Sequence, residues 1–204
     1  DARDARHTAL EAEASRRVAT AILLGHHADD QAETLLLRLA RGTGVDGLAG
    51  MVPVAGPRMR PLLDVRRHDL HRAAQDVHPG MLDRATHDPM NDDATFARVR
   101  VRDQVLPALD LIGPDVVGAL TRLAVIARDE SAVLDAAVTE LVTSLPLVTV
   151  GCAIAIPSAG LRALPDGLAR RVLRAAFAVR DTDGAAGVHG RPDATVVERL
   201  LRAP

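Results

Sequence analysis

The sequence predicts an α/β fold with a partial doubly wound parallel sheet, followed by a mostly helical second domain. A short apolar run, VATAILLG at 18–25, lies between two helical patterns, which is the element order of a parallel α/β sheet. The run is apolar throughout, as expected for a strand covered on both faces. After about residue 76 the apolar positions follow helical spacing instead.

The elements of the first part follow from caps and periodicity. We predict helix 3–15, strand 18–25, helix 30–41, a Gly-rich loop at 41–51, and an extended piece with a helix at 60–75. Asp30, followed by Glu33, predicts a capping box at the start of helix 30–41, and Asp64 predicts the cap of the next helix. The predicted buried face of helix 30–41 consists of Leu35, Leu36, Leu39 and Ala40.

The second part is predicted to be mostly helical. Its elements are a turn and helix at 87–109, a long helix at 113–142, a strand or hairpin at 147–156, and helices at 165–179 and 192–201. Glu130 and Ser131 interrupt the apolar stripe of the long helix, so two shorter helices remain an alternative. We place the domain boundary within 76–110, with a first domain at 1–107 and a second at 108–204.

Composition excludes several classes of protein. The 204 residues carry a net charge of −2, so any contact with nucleic acid must come from local patches of the arginines, which are the only basic residues besides histidine. The lone Cys152 excludes an internal disulfide and any metal-binding or redox CxxC pair, and a cytoplasmic location is expected. No apolar stretch approaches the ~20 residues of a membrane span. The arginines expected to face solvent are Arg162, Arg170, Arg171 and Arg174.

The decamer GHHADDQAET at 25–34 is the strongest candidate site. It follows the predicted strand, and ligands of open α/β sheets bind at the carboxyl ends of strands. His27, Asp30 and Glu33 are spaced three apart and would line one helix face, where carboxylates can hold Mg²⁺ or an amine. A plain helix start, with the acidic residues serving as caps, is the alternative for Asp29 and Glu33. Zinc-type HExxH spacing is absent, so we predict no resident protein metal site.

Four ordered blocks resemble one family. LGHHADDQAETLLLRLARGTGVDGLAGM (24–51), RPLL (60–63), DPMNDDATFARVRVRDQVLP (88–107) and ARDARHTAL (2–10) resemble blocks of the tRNA(Ile)-lysidine synthetases, which are N-type ATP pyrophosphatases of the PP-loop superfamily. The chain departs from the family pattern at Met90 and Val99, where Ser and Asn are usual, and at His7, where Tyr is usual. The resemblance implies an adenine nucleotide alpha hydrolase-like first domain and a helical tRNA-binding second domain.

The resemblance also implies a reaction. Family members use ATP and Mg²⁺ to adenylate the wobble cytidine of the CAU-anticodon isoleucine tRNA, and L-lysine then displaces AMP to form lysidine. By motif match, the expected catalytic residues are His27, Asp30, Glu33 and Arg60. The expected cofactor-binding residues are His26 and Asp29, and the expected nucleic-acid-binding residues are Arg98, Arg100 and Arg102. No membrane partner is expected, and a homodimer is possible.

One family motif is absent from the sequence. The phosphate-cradling loop of the family, Ser-Gly-Gly-x-Asp-Ser, does not occur here, and RGTGVDG at 41–47 follows a helix rather than opening one. We therefore expect a fragment that is inactive alone, because no backbone nest holds the pyrophosphate. The alternatives are a non-catalytic remnant that binds tRNA or a partner, and another PP-loop tRNA modifier such as a thiolase. Thiolases usually need cysteine pairs, which the lone Cys152 does not provide.

Overall fold

The computed structural model describes residues 2–84, 86, 88–144, 148–150, 153–155 and 158–182. These form two compact units, 1–129 and 130–204, which divide within a long helix. The predicted helix at 192–201 and Cys152 lie outside the described residues. Among the described residues, no helix combines the length and the apolar character that a bilayer span requires.

The first unit alternates short strands and helices. In chain order its main elements are α1 (Ala2–Arg16), β1 (Ile22–Leu23), α2 (Ala28–Ala40), α3 (Val45–Leu48), β2 (Val54–Ala55), β3 (Arg58–Met59), α4 (Arg67–Val77), α5 (Ala97–Arg100), a π-helical turn (Val101–Val105) and α6 (Leu106–Asp110). Two 3₁₀ turns lie between α4 and α5, at Leu82–Arg84 and Pro89–Asn91. The α/β class predicted from the sequence is confirmed.

The sheet is mixed rather than wholly parallel. β1 pairs with β3 in parallel, and β2 pairs with β3 antiparallel, giving the order β1-β3-β2. The predicted strand 18–25 shortens to two residues, Ile22–Leu23, and Val18 at the start of the predicted run has a positive φ of 53°, which is not an extended conformation. Leu23 is 67% exposed, so β1 is covered on one face only, contrary to the expectation of two covered faces.

Several local predictions need correction. α2 begins at Ala28, and Leu39 and Ala40 are exposed, so the buried part of its apolar face is narrower than predicted. The N-cap of α4 is Arg66, which makes no side-chain capping bond, and Asp64 is exposed. The predicted loop 41–51 contains the single helical turn of α3.

The core of the first unit joins α2 to the helical segment 97–110 and to the start of the next long helix. Its buried residues are Ala28, Ala32, Val101, Leu106 and Val117. Small alanines at 28 and 32 let the backbone of α2 approach its neighbours closely, which fixes the position of the N-terminal turn of α2.

The second unit contains the rest of α7 (Val116–Ser144), then β4 (Val148–Val150), β5 (Ala153–Ala155), α8 (Ser158–Arg162) and α9 (Asp166–Thr182). The long helix is unbroken at Glu130 and Ser131, and β4 and β5 form the predicted hairpin. The core of the second unit consists of Val138, Leu161, Ala169, Val172 and Leu173. Arg171 was expected to face solvent, but its side chain is only 12% exposed and donates to Asp135 and Ser131.

Candidate functional site

The N-terminus of α2 is closed by a capping box between His27 and Asp30. Nδ1 of His27 accepts a hydrogen bond from the Asp30 amide at 3.3 Å, and Oδ2 of Asp30 accepts one from the His27 amide at 2.9 Å. The predicted box between Asp30 and Glu33 is therefore wrong: the helix starts one turn earlier, at a histidine cap. This capping holds the Asp30 carboxylate in place and leaves Glu33 available for other contacts.

The carboxylates of Asp30 and Glu33 share one guanidinium. Arg98, in α5, donates from Nη2 to Oδ1 of Asp30 at 2.6 Å and from Nε to Oε2 of Glu33. The Glu33 side chain is 4% exposed, whereas that of Arg98 is 47% exposed. We call Asp30, Glu33 and Arg98 together the acidic pair with Arg98. Its two carboxylates and one guanidinium give it a net charge of −1.

Electrostatics keep Arg98 charged. Burial of its guanidinium lowers the Arg98 pKa, but the hydrogen bond to Glu33 and the charges of Glu33 and Asp30 outweigh burial and raise it above its usual value. Charge-assisted bonds of this kind are stronger than neutral ones. The side chain therefore remains a fixed cation beside the two carboxylates.

Asp29 links the starts of α2 and α4. Its Oδ2 accepts from the amide of Arg67 at 2.7 Å, and its Oδ1 accepts from Nη2 of Arg66 at 3.4 Å. Burial tends to raise the Asp29 pKa, but the hydrogen bond from the Arg67 amide and the charge of Arg66 lower it overall. Asp29 therefore serves as a charged brace between two helix starts.

His26 lies just beyond β1 and is half-buried. Its Nδ1 is buried with no hydrogen-bond partner among the described residues. Burial lowers the His26 pKa, the charge of Asp30 opposes this, and the charges of Arg60, Arg98 and Arg6 lower it further. These effects favour the neutral imidazole, whose Nδ1 is buried.

A cleft of about 160 Å³ opens beside the N-terminal turn of α2. The polar groups that line it come from α2, α4 and the segment 101–110, and include His27, Asp29, Glu33, Arg66, Arg67 and Arg102. The structure thus brings four of the predicted residues, His27, Asp29, Glu33 and Arg102, to one cleft with Arg66 and Arg67. Such a mixture of convergent charges in a concave site is typical of a small-molecule site.

Of the other predicted arginines, Arg60 and Arg100 do not line the cleft, whereas Arg102 does. Arg60 is 6% exposed and donates from Nη1 to the Val52 carbonyl at 2.8 Å, so it holds the backbone before β2. Arg100 donates to the carbonyls of Ala94 and Thr95. Arg102 donates to the Asn91 carbonyl and to Asp103. These contacts hold the segment before α5, and the roles of Arg98, Arg100 and Arg102 toward nucleic acid stay predictions.

Sequence reasoning missed Gln31. This side chain is 1% exposed and pairs with both backbone groups of Met51, donating to the carbonyl at 3.0 Å and accepting from the amide at 2.7 Å. Gly50 lies against it with a φ of +62°. A glutamine at a buried helix position beside the site was the available signal, since buried amides require partners.

Within the described ranges no group of three or more His, Cys, Asp or Glu side chains is arranged to hold a metal ion. The oxygens of Asp30 and Glu33 that face Arg98 are already used by its guanidinium.

Comparisons with known proteins identify the family of this chain. A family model described as a PP-loop domain matches residues 1–109. The chain therefore belongs to the PP-loop family.

Its relatives are more specific. The chain is 42% identical over 174 residues to a tRNA(Ile)-lysidine synthase of Thermobifida fusca, a match that covers 85% of this chain and 51% of the relative. Proteins of the same name from Leifsonia xyli and Streptomyces coelicolor are 41% and 42% identical, with 85% and 86% of this chain covered, and 51% and 49% of the relatives. The chain spans about half the length of these curated relatives.

Proposed function

We propose that this chain forms part of a tRNA(Ile)-lysidine synthase, a ligase that makes a C–N bond between L-lysine and the wobble cytidine of tRNA(Ile) with a CAU anticodon. Support comes from the relatives, which carry this name, and from the acidic pair with Arg98 at the start of α2. The observation that carries the proposal is the net charge of −1 on the acidic pair with Arg98, which balances the positive charge of one ammonium group.

The proposed chemistry has two steps. ATP adenylates the cytidine with release of pyrophosphate, and the amine of lysine then forms the new C–N bond as AMP leaves. Asp30 and Glu33 would bind and orient the ammonium, because buried carboxylates are the partners that an amine requires. His27 would hold Asp30 in place through the capping box. The amine must lose a proton before it attacks, and either carboxylate would accept that proton.

ATP is the second proposed substrate. The unpartnered Nδ1 of His26, at the carboxyl end of β1, fits a ligand in the place where open α/β sheets bind nucleotides. The described residues offer no ready Mg²⁺ site. Mg²⁺ would be held with the phosphates of ATP, and the residues of this chain would not act through it.

We further propose that β1 and β3 belong to the parallel part of a doubly wound sheet in a catalytic domain at 1–107. Residues 108–204 would then form part of a cytoplasmic, tRNA-facing second domain. The protein would act as a homodimer.

A hybrid enzyme tests this function. The segment of the Thermobifida fusca protein that matches this chain is replaced by the chain itself, and the hybrid is incubated with ATP, L-lysine and tRNA. We expect lysidine, detected by mass spectrometry of the nucleosides, on a CAU-anticodon tRNA(Ile) transcript and not on a GAU-anticodon transcript. A hybrid that melts cooperatively but forms no lysidine, while the parent protein does, would contradict the proposal.

A further inference from the structure

The cleft beside α2 has a composition that the proposed ammonium site does not explain. Besides His27 and the three carboxylates of Asp29, Glu33 and Asp110 it contains three arginines, and its wall includes the apolar side chains of Leu106, Pro107 and Val117. An ammonium needs carboxylates only. Cations beside an apolar wall are instead suited to a carboxylate joined to an aliphatic chain.

One of the three arginines has its guanidinium available. Arg66 is paired with Asp29 and Asp115, and Arg102 donates to Asn91 and Asp103. For Arg67, by contrast, only the backbone amide makes a hydrogen bond in the described part of the chain, and its exposed guanidinium has no partner there. A guanidinium is a bidentate donor to carboxylates, so Arg67 is the group that can bind one.

The cleft suits one small ligand. Glu33 and Arg67 both line it, and the amide of Arg67 is held by Asp29, one helical turn before Glu33. Its volume of about 160 Å³ accommodates a single amino acid but is smaller than the roughly 300 Å³ or more of a pocket for larger ligands.

From these observations we propose that Arg67 binds the α-carboxylate of the amino acid substrate, while Leu106, Pro107 and Val117 contact its methylene groups. Arg67 then determines specificity: the site selects a free diamino acid over a diamine of the same length. This inference rests on the proposed function, which supplies the ammonium end of the ligand.

Equilibrium binding of L-lysine and of cadaverine, which lacks the carboxylate, tests the assignment by calorimetry on the 204-residue chain. We expect L-lysine to bind about 10-fold more tightly than cadaverine. Arg67→Gln should remove this difference by weakening L-lysine alone. Arg72→Gln is the matched control, because Arg72 lies on the same helix, is 71% exposed and pairs with Asp69; it should change neither affinity.

The outcomes separate this inference from the proposed function. If Glu33→Gln weakens both ligands but Arg67→Gln leaves the ratio of their affinities unchanged, the role of Arg67 is wrong and the ammonium site stands. If Glu33→Gln changes neither affinity, the ammonium site itself is wrong. Equal affinities of the unmodified chain for the two ligands, or undetectable binding of L-lysine, would also overturn the assignment. Thermal melting of each variant confirms that it is folded.

Discussion

Nε of Arg98 donates a hydrogen bond to Oε2 of Glu33, a carboxylate that is 4% exposed, and this contact joins α5 to α2 across 65 positions of the chain. Arg98→Ala would leave that carboxylate buried with no counter-ion. We expect the free energy of unfolding to fall by about 2 kcal/mol, since a buried charged acceptor loses its partner while solvent reaches part of the site. Urea denaturation measures the change.

The control for this variant is an exposed ion pair in the same unit. Arg122 and Asp115 are 67% and 49% exposed, so Arg122→Ala should change the unfolding free energy by less than about 0.5 kcal/mol. Equal effects of the two variants would show that the bond between Arg98 and Glu33 is no stronger than a surface pair.

Alanine substitutions at Gly50 and Gly42 distinguish the stability cost of backbone strain from that of a steric clash. Both have positive φ, but a Cβ at Gly50 would lie 2.7 Å from Gln31 and Leu35, whereas a Cβ at Gly42 would meet nothing within 4 Å. Gly42→Ala should cost about 1 kcal/mol for conformation alone. Gly50→Ala should cost more than about 2 kcal/mol, because it also displaces the amide of Gln31 from Met51. Thermal unfolding of both variants tests this, and equal losses would mean that the space beside Gln31 is not tightly filled.

The charge of Asp29 should stabilise the protein in a pH-dependent manner. The Asp29 pKa is lowered from its ordinary value of 3.8, so its contribution is present above that pH and is lost as the pH falls through the lower, folded-state value. Asp29→Asn keeps an oxygen for the Arg67 amide but removes the charge. The difference in unfolding free energy between the unmodified protein and this variant should therefore be constant near neutral pH and shrink below about pH 4. Urea unfolding across this range measures it, and a difference independent of pH would contradict the brace assigned to Asp29.

The 204-residue chain alone should show no ATP–pyrophosphate exchange. The sequence contains no Ser-Gly-Gly-x-Asp-Ser loop, and without such a backbone nest the pyrophosphate loses its main binding groups. Exchange of radiolabelled pyrophosphate into ATP measures this, with the Thermobifida fusca protein as the positive control. Robust exchange by the chain alone would show that its own residues suffice to bind the nucleotide.

The sequence predicted most helices because their signals are local. The long helix at 113–142 follows from its apolar stripe, and it continues through Glu130 and Ser131 because Ser131 is buried and accepts a hydrogen bond from Arg171 of α9. The start of α2 was misplaced because capping preferences favour Asp over His, whereas here Nδ1 of His27 accepts the capping bond.

The contacts of the site could be predicted only in part. The decamer at 25–34 identified the acidic residues, since they follow a strand and share a helix face. The partner of Glu33 could not be identified, because Arg98 is brought to it by packing of the segment 97–110 against Ala28 and Ala32. The partner of Gln31 could not be identified either, because it is the backbone of Met51, and backbone groups have no sequence signature.

Lysidine formation by the hybrid enzyme carrying Asp30→Asn tests the central claim most directly. Asparagine can still accept the bond from the His27 amide, so the substitution removes the charge and keeps the cap. We expect kcat/KM for L-lysine to fall about 100-fold, because one of the two carboxylates that bind the ammonium is neutralised. An unchanged kcat/KM, in a variant that melts like the unmodified hybrid, would contradict the assignment of this acidic pair to the lysine site.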